Sequence, residues 1–183
     1  MFDIVSLEKE AYRGHVTRCE YVTTGHYRVA ASAAGDGFVF QLMPEAFAAP
    51  VKKAFDMHLY PDYFENAEAY GVFVKDILIA VIEINHETWN NRLRITDIWV
   101  LDAWRGHGLG KELMNLAKQR ARMLGCRMIV LETQSCNLLA IGFYQKQGFA
   151  FIGIDTACYS NDDIAKEEVR IEMGYQLKEG NGS

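Results

Sequence analysis

At 183 residues, half of them hydrophobic, the chain can build one substantial core, and it holds no run of about 18 apolar residues that would cross a bilayer as a helix. A formal net charge of −5 argues against nucleic acid as the main partner and suits a cationic ligand. The first ten residues mix acidic and basic side chains where an export signal needs an apolar stretch, and Cys19, Cys126, Cys136 and Cys158 form neither a C-x-x-C pair nor a zinc spacing. The expectation is a cytoplasmic protein with reduced thiols, no metal and no membrane partner.

Three prolines, no Ser/Gly-rich spacer and no repeat at solenoid periods give no linker, so the reading is a single domain over residues 1–183 with a loose tail at 179–183. The first forty residues give short strand-like pieces, Gly14 to Val22, Tyr27 to Ala31 and Gly37 to Leu42, with turns at Thr24-Gly25 and Gly35-Asp36-Gly37. From Pro44 to Tyr63 the pattern predicts a helix, since Phe47, Val51, Ala54, Phe55 and His58 recur at helical spacings and Pro61 ends the run. His58 reads as a surface or packing residue, because no second ligand type stands at metal spacing.

Tyr70 to Val74, a turn at Lys75-Asp76 and Ile77 to Ile84 predict a hairpin, and Leu93 to Val100 follows across the loop Asn85 to Arg92. This antiparallel meander leads into W-R-G-H-G-L-G-K, Trp104 to Lys111, which opens a helix over Leu109 to Leu124 with Leu109, Leu113, Leu116, Ala117, Ala121 and Leu124 on one face and Gly125 as its stop. A helix start carries N–H groups with no intrahelical partner and partial positive charge from the macrodipole, so an anion docks there readily. Gly106, Gly108 and Gly110 keep Cβ atoms out of the way, and Arg105 and Lys111 add formal charge. Two familiar phosphate loops fail on spacing. The P-loop needs Ser or Thr after Gly-Lys, where Glu112 stands, and neither Gly106-x-Gly108 nor Gly108-x-Gly110 leads to the third glycine of a dinucleotide fingerprint.

Cys126 to Thr133 is the next strand, and the handedness of strand–helix–strand crossovers places it parallel beside Leu93 to Val100. Asn137 caps a helix running to about Gln147, with Gly148 as its stop. Phe149 to Ile154 is a further strand, and the alternation of Val169, Ile171, Met173, Tyr175 and Leu177 predicts a last one with one buried face.

With these elements in place, Arg105-x-x-Gly108-x-Gly110 resembles the [QR]-x-x-G-x-[GA] acetyl-CoA loop of the GCN5-related N-acetyltransferase (GNAT) superfamily. Asn137, Ala140, Tyr144, Gly148 and Phe149 match its N-x-x-A-x-x-x-Y-x-x-x-G-F segment. Asp97-Ile98-Trp99-Val100, Leu131-Glu132-Thr133-Gln134 and Asp155-Thr156-Ala157-Cys158-Tyr159-Ser160 look like the corresponding runs of the streptothricin acetyltransferases. The resemblance covers 70–160 and leaves the N-terminal part, residues 1–65, outside it.

It implies an α/β (α+β) GNAT fold: a mixed central sheet of about six to seven strands, an antiparallel N-terminal meander, a splayed parallel pair at the acetyl-CoA site, and helices on both faces. The activity implied is transfer of acetyl from acetyl-CoA to a primary amine of a small cationic substrate, with a peptide or protein amine, or a non-catalytic acyl-CoA-binding module, as the alternatives. In this resemblance Arg105, Gly106, His107, Gly108, Leu109, Gly110 and Lys111 take the pyrophosphate, while Ile98, Trp99 and Val100, with Asn137 and Tyr144, take the pantetheine arm. Tyr144 corresponds to the general acid and Glu132 to the strand carboxylate that serves as base, a role that a raised pKa in an apolar strand would favour. Glu83, Asp97 and Asp155 are the other carboxylates able to receive the cationic acceptor or replace Glu132. Alternative readings stand beside each: Glu132 facing solvent or paired with an arginine, Glu83 and Asp97 as ordinary solvent-facing strand residues, Tyr144 as a core aromatic beside Phe143, Asp155 as a turn residue, and Trp99 and Trp104 as packing residues. The oligomeric state stays open between monomer and homodimer.

Overall fold

The computed structural model describes residues 2–177, so the tail expected at 179–183 lies outside the described residues. The elements in chain order are β1 (Ile4–Leu7), α1 (Lys9–Tyr12), β2 (Val16–Ala34), β3 (Gly37–His58), β4 (Ala67–Val74), β5 (Ile77–Glu87), β6 (Arg92–Val100), α2 (Leu109–Met123), β7 (Met128–Gln134), α3 (Leu138–Lys146), β8 (Ala150–Asp155), α4 (Asp163–Lys166) and β9 (Arg170–Gln176). Seven strands form one mixed sheet in the order β1-β4-β5-β6-β7-β9-β8, and β2 with β3 forms a second, two-stranded sheet. The chain divides into two compact units. One holds the residues up to Cys19, Phe55–Leu131 and the end of the chain from Gly174; the other holds Glu20–Ala54 and Glu132–Met173.

In the first unit β1, β4, β5 and β6 are antiparallel neighbours, and β7 joins β6 in parallel. The β4–β5 hairpin turns at Lys75 and Asp76, both left-handed (φ 49° and 63°), the signature of a two-residue turn whose twist matches its strands. Leu109, Leu113, Met114, Ala117 and Ala121 bury one face of α2, which packs on β5 and β6. Arg120 on the same helix reaches Glu68 on β4 through two hydrogen bonds of 2.6 and 2.9 Å. A separate cluster of Leu7, Met57, Leu59, Tyr60, Ala69 and Val81 is buried, with Trp99 packed against it.

In the second unit the root of the β2–β3 ribbon is tied to the end of β7 and to the segment before β9. The Tyr27 amide donates to the Ser135 carbonyl (2.9 Å), the Tyr21 hydroxyl to Gln134 (2.9 Å), and Lys53 to Glu168 (2.5 Å). His26 stacks on Phe47 at 4.9 Å.

The helix expected over Pro44 to Tyr63 is corrected: residues 37–58 are strand. Within residues 44–58, the part of the expected helix that is strand, the less exposed residues are Phe47, Val51, Lys53 and Met57, all of one parity, as alternation along a strand requires. Pro50 also stands where a helix would need an N–H, while a two-stranded ribbon tolerates proline on its outer edge. The turn expected at Thr24-Gly25 is corrected as well, since both lie inside β2. A Cβ at Gly25 would meet the Glu45 carbonyl oxygen at 2.4 Å, so this glycine serves a close approach of the two strands. The expected turn at Gly35-Asp36 is present, with Gly35 left-handed at φ 61°.

Candidate active site

The segment between β6 and α2 begins with a single 3-10 turn, Asp102–Trp104, and then passes through two left-handed glycines, Gly106 (φ 82°) and Gly108 (φ 87°), before α2 starts at Leu109. A Cβ built on either glycine meets nothing within 4 Å. What demands glycine is therefore the backbone conformation, and the space beside it is open to a ligand. The first-turn N–H groups of Leu109, Gly110 and Lys111 have no intrahelical acceptor, which makes this start an anion cradle. Arg105 donates from Nε to the Val100 carbonyl (3.3 Å) and pairs with Asp102 (2.8 Å), which holds its guanidinium at the end of β6. His107 is exposed, with Nδ1 3.1 Å from the Arg105 carbonyl and its ring tilted beside Trp104, so it is a residue of the loop. Trp104 packs edge-on against Phe2. These residues fit a diphosphate.

β6 bends where the loop's strand begins to matter. Its register with β5 runs Ile84↔Ile95 and then Glu83↔Asp97, so Thr96 is an extra residue, a β-bulge. The parallel ladder with β7 ends at the same place, with Ile95↔Leu131 as its last pair, and β6 continues through Val100. Ile98, Trp99 and Val100 keep β5 partners at Ile82, Val81 and Ala80. A strand that is laddered on one side and past its last partner on the other has main-chain groups to offer an amide-rich chain.

Glu83 is the most enclosed carboxylate here, with no exposed surface. Its Oε2 accepts from the Tyr60 amide (2.7 Å) and its Oε1 from the Thr96 hydroxyl (3.1 Å), the bulged residue. Burial pushes its pKa up, and the two hydrogen bonds and the charge of Lys9 oppose that without reversing it. Tyr60 is a left-handed non-glycine residue (φ 56°), and its hydroxyl donates to the Leu7 carbonyl while accepting from the Ala69 amide (2.9 Å). A strained backbone held this firmly aims its N–H at the carboxylate. Asp97 stands directly across from Glu83, and opposite residues of an antiparallel pair share a face with Cβ atoms about 5 Å apart. The structure thus brings Glu83 and Asp97 together.

Glu132, on β7, is ion-paired with Arg170 on β9 at 2.6 Å, and Arg170 also donates to Glu172 (2.7 Å) and Cys158 (3.3 Å). Of the two alternatives for Glu132, facing solvent or pairing with an arginine, the arginine pairing is present. Asp155 accepts from the Ala157 amide (3.0 Å), a turn-forming contact at the end of β8. Asn137 accepts from the Ala140 amide (3.1 Å) as the N-cap of α3. Tyr144 is buried, 7% exposed, with Phe143 and Phe149 rings at 5.5 and 6.1 Å. Tyr60, Thr96 and Arg170 are the partners that sequence reasoning missed. Thr96 adjoins the Asp97-Ile98-Trp99-Val100 run and was findable there; nothing in the sequence around Tyr60 announces a left-handed tyrosine.

Residues 37–149 match the model of the Acetyltransferase (GNAT) family. The chain is 34% identical over 133 residues to a streptothricin acetyltransferase from Streptomyces lavendulae, covering 68% of this chain and 69% of that one. The crystal structure of a nourseothricin acetyltransferase superposes with a TM-score of 0.77 at 27% identity, covering 97% of this chain and 99% of that one. The structure of a protein from Bacillus anthracis str. Ames, solved in complex with acetyl coenzyme A, gives a TM-score of 0.74 at 25% identity, with 97% of this chain and 98% of that one covered.

Proposed function

This chain belongs to the acetyltransferase (GNAT) family and is an acetyl-CoA-dependent N-acetyltransferase, and from that premise we propose that its acceptor is a primary amine of a small, multiply charged cation of the streptothricin class. The observation that carries this reading is the extent of the likeness to the nourseothricin acetyltransferase structure, 97% of the chain, which takes in the long β2–β3 ribbon as well as the acetyl-CoA loop. A cytosolic setting accords with it, since all four cysteines are free thiols.

Acetyl-CoA supplies the acetyl group as an activated thioester. The N–H groups from Gly106 to Lys111, with Arg105 and Lys111, hold its diphosphate, and the main chain of Ile98, Trp99 and Val100 pairs with the pantetheine arm, Asn137 adding a further polar contact. The acceptor arrives as an ammonium with a solution pKa near 10, which must lose a proton before its nitrogen can attack. Asp97 and Asp155 attract and orient the cation. Glu83 takes the proton, because burial raises its affinity for one toward the useful range while its two donors keep the carboxylate aimed. Glu132, already engaged by Arg170, is the second choice for that role. Tyr144 gives its proton to the departing thiolate as the C–N bond forms and the C–S bond breaks. No covalent enzyme intermediate is needed.

The test is release of CoA thiol by the purified chain across a panel holding streptothricin, other polyamines and peptides with free N-termini. Streptothricin giving the highest kcat/KM supports the proposal; preference for a peptide amine would replace the acceptor class, and silence across the panel would remove it.

A further inference from the structure

A base with no exposed surface cannot touch the ammonium it is to deprotonate. Glu83 is in that position, and its two hydrogen bonds decide what can reach it. One comes from the Tyr60 main-chain amide (2.7 Å), which donates but cannot take a proton in exchange. The other comes from the Thr96 hydroxyl (3.1 Å), and a hydroxyl has one proton to give and lone pairs to take another. Thr96 is half-buried, whereas Tyr60 is as enclosed as the carboxylate it serves. Of the two partners, Thr96 is the one that reaches the surface.

The bulge in β6 creates this contact. In an unbroken ladder Thr96 would face away from Glu83, because its neighbour Asp97 is paired with Glu83 and successive strand side chains take opposite faces. The extra residue breaks the alternation and turns the Thr96 hydroxyl onto the carboxylate, the re-aiming of a side chain that bulges beside active sites provide. Thr96 is also the first residue of β6 past its last pair with β7, Ile95↔Leu131, where the strand becomes free to meet the pantetheine arm.

We propose that Thr96 is the proton relay between the acceptor amine and Glu83, a role that rests on Glu83 being the base. With Asp97 beside it to hold the cation, the hydroxyl oxygen takes a proton from the ammonium as its own proton passes to Glu83 Oε1. One N–H bond and the threonine O–H bond break, a new threonine O–H and a carboxyl O–H form, and the nitrogen keeps the electron pair. Nothing is oxidised or reduced. The amine is left neutral and the threonine regenerated, and the carboxyl returns its proton to solvent through the same hydroxyl after the product leaves.

Thr96→Val keeps the shape and removes the hydroxyl; Thr96→Ser keeps the hydroxyl. With the amine that turns over fastest in the panel, the valine variant should lose about tenfold or more in kcat with CoA affinity unchanged, and the serine variant should recover most of the rate. Lys9 on α1, the Tyr60 amide and phenol, and Asp97 on β6 surround the same carboxylate and stay in place in both variants. Loss of the Thr96 donor should therefore move the acid limb of the pH–rate profile to higher pH in the valine variant. Added to Glu83→Gln, Thr96→Val should cost nothing further, since a relay without its base has nothing to feed, whereas a bulge needed only for folding would add its own loss. A full rate in Thr96→Val, or losses that multiply in the double variant, overturns the relay and leaves Glu83 as the base. A full rate in Glu83→Gln removes the base and the relay with it. Infrared titration of the Glu83 carboxyl in the CoA-free protein, with Glu83→Gln as the blank, needs no acceptor. Its midpoint should lie higher in Thr96→Val than in the parent or in Thr96→Ser, and equal midpoints overturn the contact on which the relay depends.

Discussion

Glu83 and Glu132 are both strand glutamates, and their surroundings divide them. Glu83 is closed off and held by an amide and a hydroxyl, whereas Glu132 faces a guanidinium. Glu83→Gln should lower kcat by about 10²-fold or more and remove the acid limb of the pH–rate profile, while Glu132→Gln leaves that limb in place; a profile unchanged by Glu83→Gln would return the role of base to Glu132. The stability effect has the opposite sign. A carboxyl whose folded pKa is raised contributes most to folding when protonated, below its unfolded pKa, and that contribution is lost as pH rises through the folded value. The glutamine variant is therefore expected to melt higher than the parent at pH 8 and with little difference at pH 4, read by calorimetry. Tyr144→Phe should cut kcat by about 10²-fold with CoA affinity unchanged, a split that a packing role alone would not produce. An unaltered kcat would leave Tyr144 as a core aromatic between Phe143 and Phe149.

Among the elements, the acetyl-CoA loop is where local sequence and structure agree most closely. Gly108→Val places a β-branched side chain at φ 87°, which costs about 1–2 kcal/mol of backbone strain, and puts methyl groups in the space the diphosphate needs. CoA affinity should fall at least tenfold by titration calorimetry; an affinity equal to that of the parent would dismiss the loop as the diphosphate site. The loop, α2, the β4–β5 hairpin, β6 and α3 were legible because each is specified by neighbours in sequence: Lys75-Asp76 for the turn, Asn137 for the cap, the Leu109 to Ala121 stripe for the helix. The ribbon was not. Phe47, Val51, Ala54, Phe55 and His58 fit a helical period, yet Ala54, Phe55 and His58 are exposed in the ribbon, and what decided the outcome was a partner strand lying across the Gly35-Asp36 turn. The site divides in the same way. Glu83 and Asp97 were visible as residue types on strands, but their facing each other depends on a bulge at Thr96 that no local pattern announces.

Across the whole molecule, ion pairs between elements set the response to acid. Burial would raise the Glu68 carboxyl, but hydrogen bonds from Arg120 and Tyr70 outweigh it and hold the pKa below the usual value; Glu87 is held low in the same way by Arg94 and Arg92. Such groups stabilise the fold above their unfolded pKa, and that contribution is lost as pH falls through the lowered folded value. The melting temperature should accordingly drop on acidification below about pH 4.5. Arg120→Met should lower it by about 2–4 °C at pH 7, a loss of roughly 1 kcal/mol in a chain of this size, and by much less at pH 3. A deficit of the same size at both values would point to lost packing rather than lost charge.

Tyr60 grips Glu83 through its main chain, and this hides the contact from ordinary mutagenesis. An alanine scan would delete the phenol and leave the N–H where it is, so the position would score only for its tether to Leu7 and Ala69. The grip is written in the path of the chain, and replacing that one peptide link by an ester is the substitution that would expose it.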